Sequence, residues 1–291
     1  MSRERRLYAG VDGGGTKTLA VVVDDSGQEL GRMSAGSGNY AAVGLESAVQ
    51  NITAAVAGAT AQAGAEPSLA AVWIGLAGVD RPEDSELLLP YLSPLARTVR
   101  LSNDAELALT GLQGARGVAV ISGTGSIALG RDASGAQTRT GGWGHLLGDE
   151  GSGWEIGRHA LRAVARASDG RGAPTSLVQA VVEAWGLDGP QGMIGKVYPD
   201  TNKALVAGLT SVVLKCFREG DEVAQRIVER AADELALAVS TVADRLRFDD
   251  GLPLALAGGL LVNEADFREM VVGRVRAGRP LAQVAIVRDA T

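Results

Sequence analysis

The sequence predicts an α/β protein built from two duplicated domains, and three observations carry that expectation. Its 291 residues amount to about two domains at roughly 150 residues each. Short apolar, β-branched strands alternate with helix-like stretches through the first half, the pattern of an α/β architecture. A strand, glycine turn and strand followed by Asp-x-Ser-Gly occurs twice, half a chain apart, which signals a repeated unit.

The elements follow in order. Residues 7–11 and 18–24 read as strands joined by Asp12-Gly13-Gly14-Gly15-Thr16, and Asp25-Ser26-Gly27 turns the chain into a third strand at 29–34. Apolar residues at three and four spacing predict helices over 44–63, 82–92 and 104–113, alternating with strands 70–77 and 98–102. The second copy is strand 118–122, turn Gly123-Thr124-Gly125, strand 126–131, then Asp132-Ala133-Ser134-Gly135 and a third strand. Laying Asp24 on Asp132 and Gly13 on Gly123 leaves a two-residue insertion or deletion between the copies. Helices are predicted over 154–167, 175–185, 202–219 and 221–247, then strand 252–257, Gly258-Gly259 and helix 264–277. The boundary falls near 112–117, giving domains 1–115 and 116–291, the second with a helical insertion.

Composition excludes several functions. A net charge of -6 and pI near 5.1 lack the positive field that nucleic acid or an anionic membrane requires, so neither is an expected partner. One cysteine, Cys216, cannot close an intrachain disulfide, and with only two histidines a dedicated zinc site is not expected. The longest apolar run, 69–79, is far short of the roughly 18 residues of a membrane span. No secretory apolar segment follows the charges of MSRERRLYAG, so a cytoplasmic setting is expected. Arginine outnumbers lysine 24 to 4, but no run of arginines forms a stripe in the sequence.

Glycine, 40 residues in all, clusters where chemistry is expected. Gly10-Val11-Asp12-Gly13-Gly14-Gly15-Thr16-Lys17 is not a P-loop, because Thr16 separates the last glycine from lysine and a strand follows instead of a helix. It reads either as an ordinary hairpin turn or as a nest of backbone N–H groups for phosphate, with Thr16 and Lys17 as further donors and Asp12 beside a hydrated magnesium ion. The second copy, Ser122-Gly123-Thr124-Gly125-Ser126, favours the nest, with the phosphate tail of a nucleotide clamped between the domains. Asp104, where a strand hands over to a helix, reads either as an N-cap or as the general base of phosphoryl transfer to an alcohol. The stretch from Gly141 to Gly153 packs six glycines with Trp143, His145, Asp149 and Glu150, a combination that suits a sugar. His145 reads equally as a structural donor, Asn39 by default as a turn residue, and Gly258-Gly259 as a strand-to-helix turn or a seat for a nucleoside.

Together, Gly10-x-Asp12-Gly13-Gly14-Gly15-Thr16-Lys17, Asn39, Asp104, Ser122-Gly123-Thr124-Gly125-Ser126, the GGWGH and GDEGS segments of 141–152 and Gly258-Gly259 resemble the N-acetylglucosamine kinase family. That family belongs with the BadF/BadG/BcrA/BcrD ATPases in the actin and hexokinase superfamily. The resemblance implies two duplicated ribonuclease-H-like domains (an actin-like ATPase fold) around an interdomain cleft, MgATP as donor, and phosphorylation of a hexosamine at its 6-hydroxyl. Residue by residue it implies Asp104 as base, Asp12 beside Mg²⁺, Gly13, Thr16 and Thr124 at the phosphates, Gly258 and Gly259 at the adenosine, and Asn39, Trp143 and Asp149 at the sugar. Beside these, Gly14, Gly15, Lys17, Gly123 and Gly125 are expected around ATP and Asp104, Gly144, His145 and Glu150 at the sugar, and a homodimer is expected.

Two departures leave the sugar open among N-acetylglucosamine, glucosamine, N-acetylmuramic acid and glucose. Ile127 stands where those kinases carry an asparagine, and Ala77-Gly78-Val79 replaces a serine-rich turn. The chain ends at Asp289-Ala290-Thr291, where family members continue into a helix, so the second domain is expected to lack it. The rival readings are an ATPase subunit of a CoA-ester reductase or dehydratase system, in which Cys216 would offer a single cluster ligand, and a non-catalytic sugar or nucleotide sensor.

Overall fold

The computed structural model describes residues 6–15, 17–64, 69–79, 81–198 and 203–288, so Thr16, expected at the phosphate turn, lies outside the described residues. The chain divides into two units, one running up to Gly111 and the other from Leu112 to Arg288.

In the first unit, β1 (Leu7–Gly13), β2 (Thr18–Asp24) and β3 (Glu29–Ala35) form an antiparallel meander, because turns of a few residues can join only antiparallel neighbours. Asn39 caps α1 (Tyr40–Val43), its Oδ1 accepting from the Ala41 N–H at 3.0 Å, and α2 (Leu45–Gln62) follows. Ile52, Ala55, Val56 and Ala59 of α2 are buried at helical spacing, so one face of this helix packs on the sheet. That crossover returns the chain to β4 (Leu69–Leu76), parallel to β1. Next, α3 (Pro82–Leu92), with proline at its first position, leads to β5 (Ala96–Asn103) and α4 (Asp104–Ala108). The sheet order is β3-β2-β1-β4-β5.

The second unit repeats this plan. β6 (Gly117–Ser122), β7 (Ser126–Arg131) and β8 (Gln137–Gly141) form the meander, and β9 (Leu252–Ala257) and β10 (Leu281–Ile286) add in parallel, giving β10-β9-β6-β7-β8. Between the meander and β9 lie α5 (Gly153–Ser168), α6 (Leu177–Trp185), α7 (Gly192–Val197), α8 (Lys203–Ala207), α9 (Thr210–Arg218) and α10 (Glu222–Asp244). After β9 come α11 (Gly259–Asn263) and α12 (Ala265–Gly278). The core joins Val118, Val120, Leu254 and Leu256 of the sheet to Ile156 of α5, Val239 of α10 and Phe267 of α12. Among the described residues no helix is long and apolar enough to cross a membrane.

The duplication extends to single atoms. Asp24 Oδ1 accepts from Ser26 N, Ser26 Oγ and Gln28 N at 2.9, 2.6 and 3.1 Å, and Asp132 Oδ1 accepts from Ser134 N, Ser134 Oγ and Ala136 N at the same three distances. Strand register corrects the expected two-residue difference to one. Thr18 corresponds to Ser126 but Gly13, which pairs with Thr18, corresponds to Ser122, which pairs with Ser126. Four residues therefore close the first turn and three the second.

The short helices α1 and α7 were not expected, and three further helices differ from expectation. The helix predicted over 104–113 ends at Ala108 and continues as 3₁₀ turns, where Gly114 has φ +65°. The helix predicted over 202–219 breaks around Gly208 into α8 and α9, and a short α11 precedes the one predicted over 264–277.

Candidate functional site

In the first unit the site residues collect at the carboxyl ends of the parallel strands, where open α/β sheets bind ligands. Asp12 of β1 pairs with Gly75 of β4, which pairs with Ser102 of β5. Gly75 is required there: a Cβ on it would lie 3.1 Å from the Asp104 Cα and 2.4 Å from Leu107 Cδ1. The absent side chain lets α4 sit down on the strand ends and carries Asp104 over the row that contains Asp12. Asn103 caps α4, its Oδ1 accepting from Ala105 N at 2.8 Å. Asp104 is thus the first helical residue and Asn103 the cap.

Asn39 reaches the same edge. Its Oδ1 lies 3.2 Å from where a Cβ on Gly78 would stand, and Ala77 N–H donates to Gly13 C=O at 2.9 Å, tying the turn after β4 to the end of β1. The glycine turn is less open than the sequence suggests, because Gly14 N–H donates to Lys17 C=O at 2.9 Å. Asp12 is half-buried at its strand end. Its hard oxygen donors suit Mg²⁺, and among the described residues no three metal-ligating side chains cluster. An ion there would keep waters and phosphate oxygens as its other ligands, as Mg²⁺ prefers.

In the second unit Gly123 N–H donates to Gly125 C=O at 3.0 Å, while Gly123 C=O accepts from Gly153 N–H at 2.8 Å. Gly258 has φ +85°, and a Cβ on it would fall 2.5 Å from Ser122 C=O, so only glycine lets the β9–α11 turn lie against the β6–β7 turn. The two glycine motifs, distant in sequence, share a cavity of about 360 Å³ lined by Gly123, Thr124, Gly153, Thr210, Gly259 and Asn263.

Within the 141–153 segment the polar groups divide. Asp149, at φ +66° and 3% exposed, spends both oxygens inside the protein, on Ser126 N–H at 3.1 Å and Lys203 Nζ at 2.6 Å. Ser122 Oγ and Ser126 Oγ donate to Gly151 C=O and Glu150 C=O at 2.9 and 2.7 Å, stapling the segment to the phosphate turn. Ser152 caps α5, and buried Glu155 accepts from Gly151 N–H at 3.0 Å and meets His159 Nε2 at 3.2 Å. Burial pushes the Glu155 carboxyl up, but His159, Gly151 N–H and Arg158 together hold it below the usual range.

Trp143, Leu146, Leu147 and Glu150 are exposed. Trp143 and Glu150 line a second cavity, of about 420 Å³, with Ser126, Ile127, Thr140 and Glu234. Thr140 Oγ1 is buried there without a hydrogen-bond partner, which suits a ligand hydroxyl. His145 instead turns its ring edge to Trp154, with centroids 5.0 Å apart, so its packing is visible.

Sequence reasoning missed Lys203. Its Nζ lies 3.1 Å from the Cβ position of Gly125, beside the phosphate turn, and the one available signal was its being one of four lysines among 24 arginines. Cys216 is buried in α9, which leaves no exposed thiol for a shared cluster.

Known proteins share this architecture and these sequences. The chain is similar to an N-acetyl-D-glucosamine kinase of Dictyostelium discoideum, with 33% identity over 98% of this chain and 94% of the relative. It is also similar to an N-acetylmuramic acid/N-acetylglucosamine kinase of Clostridium acetobutylicum, with 35% identity over 89% and 86%. A solved structure from Chromobacterium violaceum, of a candidate N-acetylglucosamine kinase, superposes with a TM-score of 0.77 at 28% identity, covering 94% and 92% of the two chains. With residues 9–285 matching its model, the chain belongs to the BadF/BadG/BcrA/BcrD ATPase family, and it is built from two duplicated ribonuclease-H-like domains.

Proposed function

We propose that this protein is an ATP-dependent amino-sugar kinase that phosphorylates the 6-hydroxyl of N-acetylglucosamine or a related hexosamine. The observation that carries the reading is Asp104: a carboxylate at the first position of α4, the helix that Asn103 caps, set over Gly75. In phosphoryl transfer to an alcohol the protein mainly positions reactants and stabilises charge, and one carboxylate takes the hydroxyl proton. Asp104 is assigned that proton, and Asn39 the sugar hydroxyls beside it. Asp12 would hold Mg²⁺, which when bound supplies charge neutralisation at the phosphates.

In the second unit Gly123, Thr124 and Gly125 offer backbone groups to the phosphates and Gly258-Gly259 a close backbone seat for the nucleoside, while the charge of Lys203 is paired with Asp149 beside that turn. Gly13, Gly14, Gly15 and Lys17 are assigned to phosphate in the first unit. Trp143, Gly144, His145 and Glu150 are assigned to the sugar, while Asp149 shapes that segment from within. Ile127 on the 420 Å³ cavity supports a substrate without a demanding acetamido contact, so glucosamine is proposed beside N-acetylglucosamine. Buried Cys216 suits a cytoplasmic enzyme, and a homodimer is the assembly to test by sedimentation.

A coupled ADP-release assay across glucosamine, N-acetylglucosamine, N-acetylmuramic acid and glucose tests the reading. Stimulation by an amino sugar is expected. No stimulation by any of them, or full activity in Asp104→Asn, overturns it.

A further inference from the structure

Away from the residues assigned above, the fold gathers arginines that are scattered in the sequence. α5 and α10 turn the same helical spacing toward one open cavity of about 770 Å³: Arg162, Ala163 and Arg166 on α5, and Arg226, Ile227 and Arg230 on α10. Arg171, in the loop after α5, closes one wall. No aspartate or glutamate lines this cavity, although the chain as a whole carries a net charge of -6.

The charges there are incompletely matched. Arg171 is held by Asp169, Arg166 donates to Arg171 C=O at 3.1 Å, and Arg226 stands 3.8 Å from Glu222. Arg162 and Arg230 make no side-chain hydrogen bond or ion pair among the described residues. Arg162 with Arg166, and Arg226 with Arg230, are like-charge pairs at i,i+4, a destabilising spacing that a bound anion would relieve. Guanidinium forks match phosphate oxygens two at a time, and the cavity volume lies within the range of small-molecule sites. Between the arginines, Ala163 and Ile227 give an apolar floor.

We propose that this groove is a binding site for a small phosphate monoester, with the phosphate between Arg162 and Arg230 and the organic portion over Ala163 and Ile227. The proposal stands on the groove alone and is independent of the kinase reading. Sugar phosphates and nucleotides share the required chemistry, so the test carries both. Calorimetric titration of the full chain at low salt would use glucose 6-phosphate, AMP and inorganic phosphate as probes. The expected result is binding of at least one ester, tighter than inorganic phosphate and weakened by added NaCl. Arg162→Ala with Arg230→Ala should weaken that ester at least about tenfold, since each hydrogen bond to a charged group is worth that much or more. The thermal midpoint in phosphate-free buffer should not fall, because both side chains are exposed and alanine favours helix.

Whichever ester loses affinity in the double variant identifies the source. Equal affinity for inorganic phosphate and both esters overturns the role of the apolar floor. Unchanged affinity in the double variant, or no binding by any probe, overturns the site. So does a change in sedimentation without loss of ester binding, which would assign the groove to a second copy of the chain.

Discussion

Lys203 Nζ stands 2.6 Å from Asp149 Oδ2, a contact that ties a helix outside the glycine motifs to the most buried carboxylate of the 141–153 segment. Removing one partner of a buried pair leaves a charge without compensation. Because the lysine side chain is 30% exposed, Lys203→Met is expected to cost about 2 kcal/mol, below the usual range for a fully buried pair. Adding Asp149→Asn should recover part of that loss, and thermal unfolding of the two single variants and the double variant measures the coupling.

Asp104→Asn tests the base. Asn103 keeps α4 capped in this variant. Turnover should fall by roughly 10²–10⁴, the usual contribution of general base catalysis, while ATP affinity by calorimetry stays within a few-fold.

Gly75→Ala asks whether Asp104 is placed by what Gly75 lacks. The new Cβ would meet Leu107 Cδ1 at 2.4 Å and the Asp104 Cα at 3.1 Å, so α4 must shift. Overpacking of this kind costs roughly 1–3 kcal/mol. A displacement near 1 Å at a catalytic group can cost about 100-fold in rate. Steady-state kinetics should therefore show kcat falling far more than the KM for ATP rises.

Asp221 links folding to pH. It caps α10 through Val223 N and Ala224 N at 2.9 and 2.8 Å and also accepts from Ser176 N at 2.7 Å. Burial raises its carboxyl, but the N–H groups of Ala224 and Ser176 and the hydroxyls of Thr175 and Ser176 outweigh it and hold the group below its ordinary value of 3.8. A carboxylate lowered in the folded state adds stability above its unfolded value, and that stability is lost as pH falls through the folded one. Asp221→Ala should cost about 1–2 kcal/mol at neutral pH. In urea unfolding at a series of pH values, its deficit against the parent protein should shrink below about pH 3.8.

The strands were largely legible because each meander is local: short β-branched runs flank glycine turns, and the third strand follows a turn whose aspartate organises it. β10 was not read, since its residues are mostly exposed at a sheet edge and lack a strong alternation. Helix ends at Ala108 and near Gly208 were missed because an apolar spacing continues past them while the backbone does not. At the candidate site, the residue types singled out segments but not who bonds whom. Whether Asp104 or Asn103 caps α4, and that Asp149 faces inward to Lys203, depends on side-chain direction and on contacts across more than fifty residues.

The one-residue difference between the two glycine turns has a larger meaning than its size. With Gly13 on Ser122, Asp12 of the first unit falls on Ile121 of the second, so the strand end that carries a carboxylate in one copy is apolar in the other. The two halves share a scaffold and differ in the side chains at their strand ends. A tandem of two first units would hold two acidic strand ends and no GGWGH segment, and a tandem of two second units the reverse. The one-residue difference therefore falls beside the strand end at which the two copies present different chemistry.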